Sequence, residues 1–337
     1  MRQEERRLTT KKLDIFGFFY KYGTILVTIG ALLYFSLTLD NFLNFNNVTN
    51  IFRSVSIVAL IGLAITISLT IDGFDLSVGA TAGFAAVIAA KFMVIWGYGV
   101  IPAVIAPLLA GIMIGLFNAF LIIKIGIQDM LATLSMMFLL TGISVTFQNG
   151  SAIYNFMPIP GGGIAEHTMS KTFLAIGQGK WLGIPIPVYI MLAVALLVHI
   201  FLNYTKHGRY LYMIGGNQEA AKLSGIKINR YKLIAYVMSG FLSALAGVVL
   251  AARLGSGEVD AGAPYLMDGV AAAFVGFSVL GTGKPNAFGT LLGALLMGIL
   301  LNGLVMMSFP YYSQDIVKGI VLLLALGLTY YKMKHKG

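Results

Sequence analysis

The chain has 337 residues, 58% of them hydrophobic and only 11% charged, with a mean hydropathy of +0.86. That composition excludes an ordinary soluble globule and points to a protein that crosses a membrane many times. The net charge of +10 resides in basic clusters between apolar runs. It therefore sets topology and meets anionic lipid rather than nucleic acid. There is no cysteine, which excludes disulfides, thiolate nucleophiles and thiolate metal sites.

Residues 1–21 carry positive charge ahead of an apolar run and lack a clear small-residue cleavage site, so they read as a cytoplasmic tail and not as a removable signal. A helix needs about 20 apolar residues to cross a bilayer. Ten such runs follow, at 22–39, 51–70, 77–96, 100–123, 130–148, 187–204, 233–252, 266–281, 287–304 and 314–331. With the N-terminus inside, the inner segments are 1–21, 71–76, 124–129, 205–232, 282–286 and 332–337, and they hold 17 of the 23 Lys and Arg residues. This asymmetry predicts an all-α polytopic membrane protein of about ten transmembrane helices over 22–331, both termini cytoplasmic.

Polar residues between or within spans are costly and so carry information. In TIDGFDLSVGA, 70–80, Asp72 and Asp75 stand between two long apolar runs. Paired carboxylates suit a cation site, a proton relay or acid–base work, but no His is near them and His199 lies in another span. The favoured expectation is structural: one Asp caps a helix start that Leu76 and Ser77 open, and the other faces interfacial water. Ion-coupled transport through Asp72 and Asp75 is the alternative. Asp315 and Lys318, one helical turn apart, are expected to pair. His199 is expected to be a satisfied core residue. Gly111 and Gly115, Gly240 and Gly247, and Gly289 and Gly293 predict closely packed helices.

The outer segment 150–186 is rich in Gly and Pro and reads as an extracytoplasmic loop with a re-entrant turn, or as a lid over a solute entrance. No phosphate-binding loop is present: Gly283 and Lys284 are followed by Pro285, which removes both the hydroxyl for magnesium and a backbone donor. HExxH, GxSxG and clustered metal ligands are also missing. The chain therefore reads as no enzyme, binding no metal or cofactor of its own, and a membrane-embedded transferase lacks the residues it needs. Any ATP hydrolysis belongs to another chain.

The basic segment 205–232 contains a well-punctuated short helix. Asn217 serves as N-cap, Glu219 falls in the first turn, Lys222 in the last, and Gly225 supplies a left-handed stop. A helix of about seven residues is marginal alone in water, so the body of the protein or a docked partner must hold it. Ala220, Ala221 and Ser224 are expected to give it a small-residue face that another surface can approach. The plainer reading is an ordinary cytoplasmic loop.

Several stretches carry a resemblance: DLSVGA at 75–80, GLFNAFLI at 115–122, LATL at 131–134, GRYLYMIGGNQEAAKLSGI at 208–226, ARLGSG at 252–257 and the run 289–325. In order and spacing the chain resembles the permease subunit of bacterial ATP-binding-cassette importers of the ribose type, a family that also serves other monosaccharides and autoinducer-2. The resemblance implies a permease of about ten spans in the bacterial cytoplasmic membrane. It works by alternating access with a second permease copy or paralogue, a cytoplasmic ATPase that holds ATP and magnesium, and an extracytoplasmic solute-binding protein. It also implies that Gly215, Gly216, Asn217, Glu219, Ala220, Ala221, Ser224 and Gly225 form the loop that couples to the ATPase. Asp75, Leu76, Ser77, Gly79, Asn118 and Thr133 are motif positions of the translocation body. The chain departs from the family pattern at Gln128, Asp129 and Met130, at Thr141, at Phe277 and at Pro285. These positions bear on which sugar is carried.

Overall fold

The computed structural model describes residues 15–159, 162–278 and 283–335. Each apolar run lies on a helix: α1 (Ile15–Thr38), α2 (Phe45–Leu69), α3 (Val78–Val94), α4 (Val100–Phe120), α5 (Asp129–Phe147), α7 (Ile186–Tyr204), α10 (Ile228–Leu254), α11 (Ala263–Ser278), α12 (Ala287–Met306) and α13 (Tyr311–His335). Between them lie the shorter α6 (Lys171–Gln178), α8 (Lys206–Gly216) and α9 (Gln218–Leu223). Among the described residues six helices are long and apolar enough to cross a membrane: α2, α4 with its π-helical extension to Ile125, α5, α7, α10 and α12. The apolar part of α1, Tyr22–Thr38, and α3 are shorter.

Two boundaries differ from those expected. Helix α1 begins at Ile15, inside the expected tail, and α13 runs to His335, past 331. The added start of α1, residues 15–20, is itself apolar, whereas α13 continues into the basic residues 332–335. The end of the eighth run, 279–281, lies outside the described residues.

Helices α2 and α10 form the centre. The apolar windows of α2 and α10 are 83% and 67% buried, against 28% for α4 and α5, which lie at the perimeter. Glycine makes the central contacts tight. A Cβ on Gly111 or Gly115 of α4 would run into the carbonyls of Gly240 and Tyr236 on α10, and one on Gly247 into the carbonyl of Ala82 on α3. Gly289 and Gly293 of α12 meet Gly276 and Ala272 of α11 in the same way. Such backbone-to-backbone approach lets dispersion contacts accumulate where lipid supplies no hydrophobic drive.

Several polar side chains inside the bundle are paired across helices, whereas the buried Thr81 hydroxyl has no hydrogen-bond partner. Asn47 and Asn302 exchange amide bonds of 3.0 Å, and the hydroxyls of Thr66 and Thr290 are 2.6 Å apart. Lys318 approaches Asp315 at 3.8 Å, as expected from their spacing, but its shorter contact is 3.0 Å to the buried Asp268 of α11. The correction is one of environment, since a buried carboxylate needs the ammonium more than an exposed one does. His199 is half-buried, its ring tilted 52° against that of Phe288 with centroids 4.4 Å apart, and bonded to Asn203.

The outer segment is packed, not loose. Strand β1 (Ile153–Tyr154) pairs antiparallel with β4 (Ser256–Gly257), and β2 (Lys180–Trp181) with β3 (Ile184–Pro185). Ile153, Met157, Met169 and Phe173 are buried against α3 and α10. The segment therefore packs over the C-terminal ends of α3 and α10. After α10 the chain reverses at Gly255, φ 69°, and returns along α3. Gly257 lies on Ala86 and Ala90, the Val259 carbonyl on Gly83, and Gly262 on Gly79. A 3-10 turn, Val259–Gly262, leads into α11.

The packing account predicts a selective stability effect. Gly240→Leu should destabilise the protein by about 3 kcal/mol or more through overpacking. Gly142→Leu should be close to neutral, because nothing lies within 4 Å of a Cβ there. Thermal unfolding of both variants in detergent measures the contrast.

Candidate functional site

The site grows from the capped helix α9. The Asn217 side chain accepts a hydrogen bond of 2.9 Å from the Ala220 N–H. Glu219 stands in the first turn and Lys222 in the last. At the other end Gly225 takes φ 79°, and its N–H and that of Ile226 donate to the carbonyls of Lys222 and Ala221 at 3.0 and 3.1 Å. The helix has six residues. The small-residue face expected from the sequence is divided: Ala221 is buried in the main core, whereas Ala220, Ser224 and Glu219 are exposed. One inward side chain is the minimum that fastens so short a helix to the body, and Ala221 is that side chain. What projects furthest is Leu223, 88% exposed.

Around α9 the surface is basic. Lys232 approaches Asp129 of α5 at 3.7 Å, and Asp129 also accepts a 2.6 Å bond from the Tyr236 hydroxyl. Among the described residues, Lys206, Arg209, Lys222, Lys227 and Arg230 make no ion pair. A pocket of about 210 Å³ opens between the end of α9 and the start of α10, lined by Lys227, Arg230, Tyr210 and Tyr231.

Helix α8 ties α9 to the bundle at two points. A Cβ on Gly215 would run into the Thr70 carbonyl and come within 3.1 Å of the Asp72 nitrogen, so only glycine lets α8 lie on the link between α2 and α3. Gly216 is exposed with open space around it. One turn earlier, the Tyr212 hydroxyl donates to the Pro285 carbonyl at 2.6 Å, joining α8 to the loop before α12. Burial pushes the Tyr212 phenol up to about 12, so it remains a donor throughout the neutral range.

Directly beyond Thr70 lies the polar junction. Asp72, left-handed at φ 58°, is exposed, whereas Asp75 is 1% exposed. One Asp75 oxygen accepts from the Ser77 N–H and hydroxyl at 2.9 and 2.6 Å, and the other accepts from Ser239 of α10 at 2.7 Å. Asn118 of α4 donates to the Ser77 hydroxyl at 3.0 Å. Thr133 of α5 accepts from the Leu76 N–H at 3.1 Å and donates to backbone carbonyls. Asp75, Leu76, Ser77, Asn118 and Thr133, distant in sequence, thus meet in one cluster. Gly79 stands on the following turn against Gly262. The two carboxylates occupy different surroundings, and both oxygens of Asp75 are engaged in shaping backbone. Ser239 was missed in the sequence, where it is one of two serines in a long apolar run. Leu223 was missed too, although a large apolar residue on a helix of otherwise polar and small residues was a legible signal.

Residues 47–326 match the family described as branched-chain amino acid transport system / permease component. The chain belongs to this permease family. It is 38% identical over 285 residues to the ribose import permease protein RbsC of Escherichia coli K12, covering 85% of this chain and 86% of that one. Identity to RbsC of Bacillus subtilis 168 is 34% over 325 residues, 96% and 97% of the two chains. The D-allose transport system permease protein AlsC of E. coli K12 is 31% identical over 320 residues, 94% of each chain. No solved structure matches the chain. The ribose-type permeases indicated by the motifs are therefore its relatives.

In this permease the junction ties the start of α3 to α4, α5 and α10 by hydrogen bonds. Asp75→Ala would strand the Ser239 hydroxyl and the Ser77 N–H, at a cost of about 1–3 kcal/mol for each unsatisfied group. Asp72→Asn keeps a residue that tolerates positive φ and should stay within about 0.5 kcal/mol of the parent. Denaturation midpoints in detergent check both values.

Proposed function

We propose that this chain is the membrane subunit of an ATP-driven importer of a small sugar, a ribose-like monosaccharide. In this reading ten helices span the bacterial cytoplasmic membrane with both termini inside. The basic end faces the cytoplasm, as the distribution of Lys and Arg favours. A separate ATPase chain holds ATP and magnesium and receives α9. A second copy or a paralogue completes the permease, and an external solute-binding protein delivers the sugar.

The observation that carries this reading is the mounting of α9. An exposed, capped helix with a projecting Leu223 is held by Ala221 and rests, through Gly215, on the link that contains Asp75. Motion imposed on α9 passes along α8 to that link and, through Tyr212 and Pro285, to α12. The junction ties α3, α4, α5 and α10, so its displacement shifts the bundle between inward and outward openings. No covalent chemistry is required of this chain. The names of its relatives, which import ribose and transport D-allose and L-arabinose, support a monosaccharide as the cargo.

Gentle extraction of the tagged protein followed by mass spectrometry tests the reading. A stoichiometric companion bearing a phosphate-binding loop is expected. Glu219→Lys reverses the charge in the first turn, and Gly225→Val strains the left-handed stop. Each should lower recovery of that companion about tenfold while membrane insertion stays normal. Parental recovery with both variants would remove the coupling role from α9.

A further inference from the structure

The hairpin that leads into α7 turns its apolar side chains outward. Strands β2 and β3 set Trp181 directly opposite Ile184, so these two side chains share one face, and Leu182 stands at the turn between them. All three are exposed, Leu182 at 79%. Leu182 and Gly183 take φ 50° and 81°, the left-handed pair of a two-residue turn in which Asn or Asp ordinarily precedes Gly. A leucine there runs against local preference, and it gains no burial within the chain to offset that. An apolar medium around the tip supplies what the chain does not.

The hairpin has a fixed place against α7. The rings of Trp181 and Tyr189 lie with centroids 5.2 Å apart, and the Tyr189 hydroxyl donates to the Trp181 carbonyl at 3.0 Å. Tyr189 is in the first turn of α7, at the head of a stripe that continues through the exposed Ala193, Leu196 and Ile200. Helix α7 has 19 residues, and roughly 28 Å of helix matches the hydrocarbon thickness of a bilayer, so its two ends lie at the two boundaries. Aromatic residues mark both ends: Trp181 with Tyr189 at the start, and the exposed Tyr204 as the last residue. On its other side the hairpin meets Phe45, the first residue of α2, where the Lys180 ammonium stands 5.0 Å from the ring centroid. Phe45 and Lys180 are both exposed. An apolar tip flanked by aromatic rings and by an ammonium on a long stem has the chemistry of the boundary between hydrocarbon and headgroups.

We infer that the hairpin 180–185 is a membrane anchor: Leu182, Ile184 and the Trp181 ring enter the lipid leaflet opposite the basic segment 205–232, and Lys180 meets its phosphate groups. Lipid is the occupant because the tip continues, through Tyr189, the exposed apolar face of α7, and because the one cation beside it complements phosphate. The anchor holds the end of the segment 150–186 at the membrane surface. It requires only that α7 spans the bilayer, and it is independent of the cargo and of the energy source.

The chain has two Trp and no Cys, which makes the test direct. In Trp96→Phe, reconstituted in phosphatidylcholine vesicles brominated near the top of the acyl chains, Trp181 emission should fall about twofold relative to unbrominated lipid, with little quenching by aqueous iodide. A second probe leaves both Trp in place. Leu182→Cys carrying a nitroxide should collide with oxygen in preference to a water-soluble nickel chelate, as should Leu196→Cys on α7, whereas Glu166→Cys in the exposed part of 150–186 should show the reverse. Quenching of Trp181 by iodide and not by brominated lipid, or nickel access at 182 equal to that at 166, would overturn the anchor and place the tip in water. Protection of 182 from both oxygen and nickel would overturn it in favour of a protein surface, such as a second copy of this chain.

Discussion

The structure depends on how the break between α2 and α3 is satisfied. Helices α2 and α3 end and begin among other helices, and each buried polar group left unpaired at the break would cost about 1–3 kcal/mol. Asp75 resolves this with one side chain. One oxygen accepts from the N–H and hydroxyl of Ser77, the residue before α3, and the second accepts from Ser239 on α10. The same bonds that close the break therefore clamp the helix that continues from α9. Asn118 and Thr133 extend the clamp to α4 and α5.

Glycine supplies the other half of the design. Where Gly111, Gly240 and Gly247 lie, backbones touch, and α10 is held too closely to slide independently of α3 and α4. Where Gly215 lies, α8 rests on the link between α2 and α3 without an intervening side chain. The first set makes the centre rigid. The second gives the exposed helix a short, stiff connection to it. The same residue type thus serves close packing at two places.

Much of this was legible in the sequence. The caps of α9, its glycine stop and the polar break at 70–80 were read from residue type and spacing, because each is a local rule with a local cause. The orientation of α9 was not, since six residues are too few to define a face; only its packing turns Ala221 inward and Leu223 outward. The preference of Lys318 for Asp268 over its neighbour Asp315 depends on which carboxylate is buried, and no spacing encodes that. The return of 255–262 along α3 was likewise invisible. Its residues, GSGEVDAG, have the composition of a surface loop, and what draws them inward is the pair of small residues Gly79 and Gly83 far earlier in the chain.

The central claim is that this chain moves a sugar only when a partner turns over ATP. Uptake of labelled ribose, D-allose and L-arabinose into inside-out and right-side-out vesicles measures it most directly, with the chain alone and with its co-purified companions, with and without ATP and with imposed proton or sodium gradients. The account predicts uptake of at least one sugar only with the companions and ATP, indifferent to the gradients. Gradient-driven uptake by the chain alone, abolished when Asp72 and Asp75 are both replaced by Asn, would contradict it.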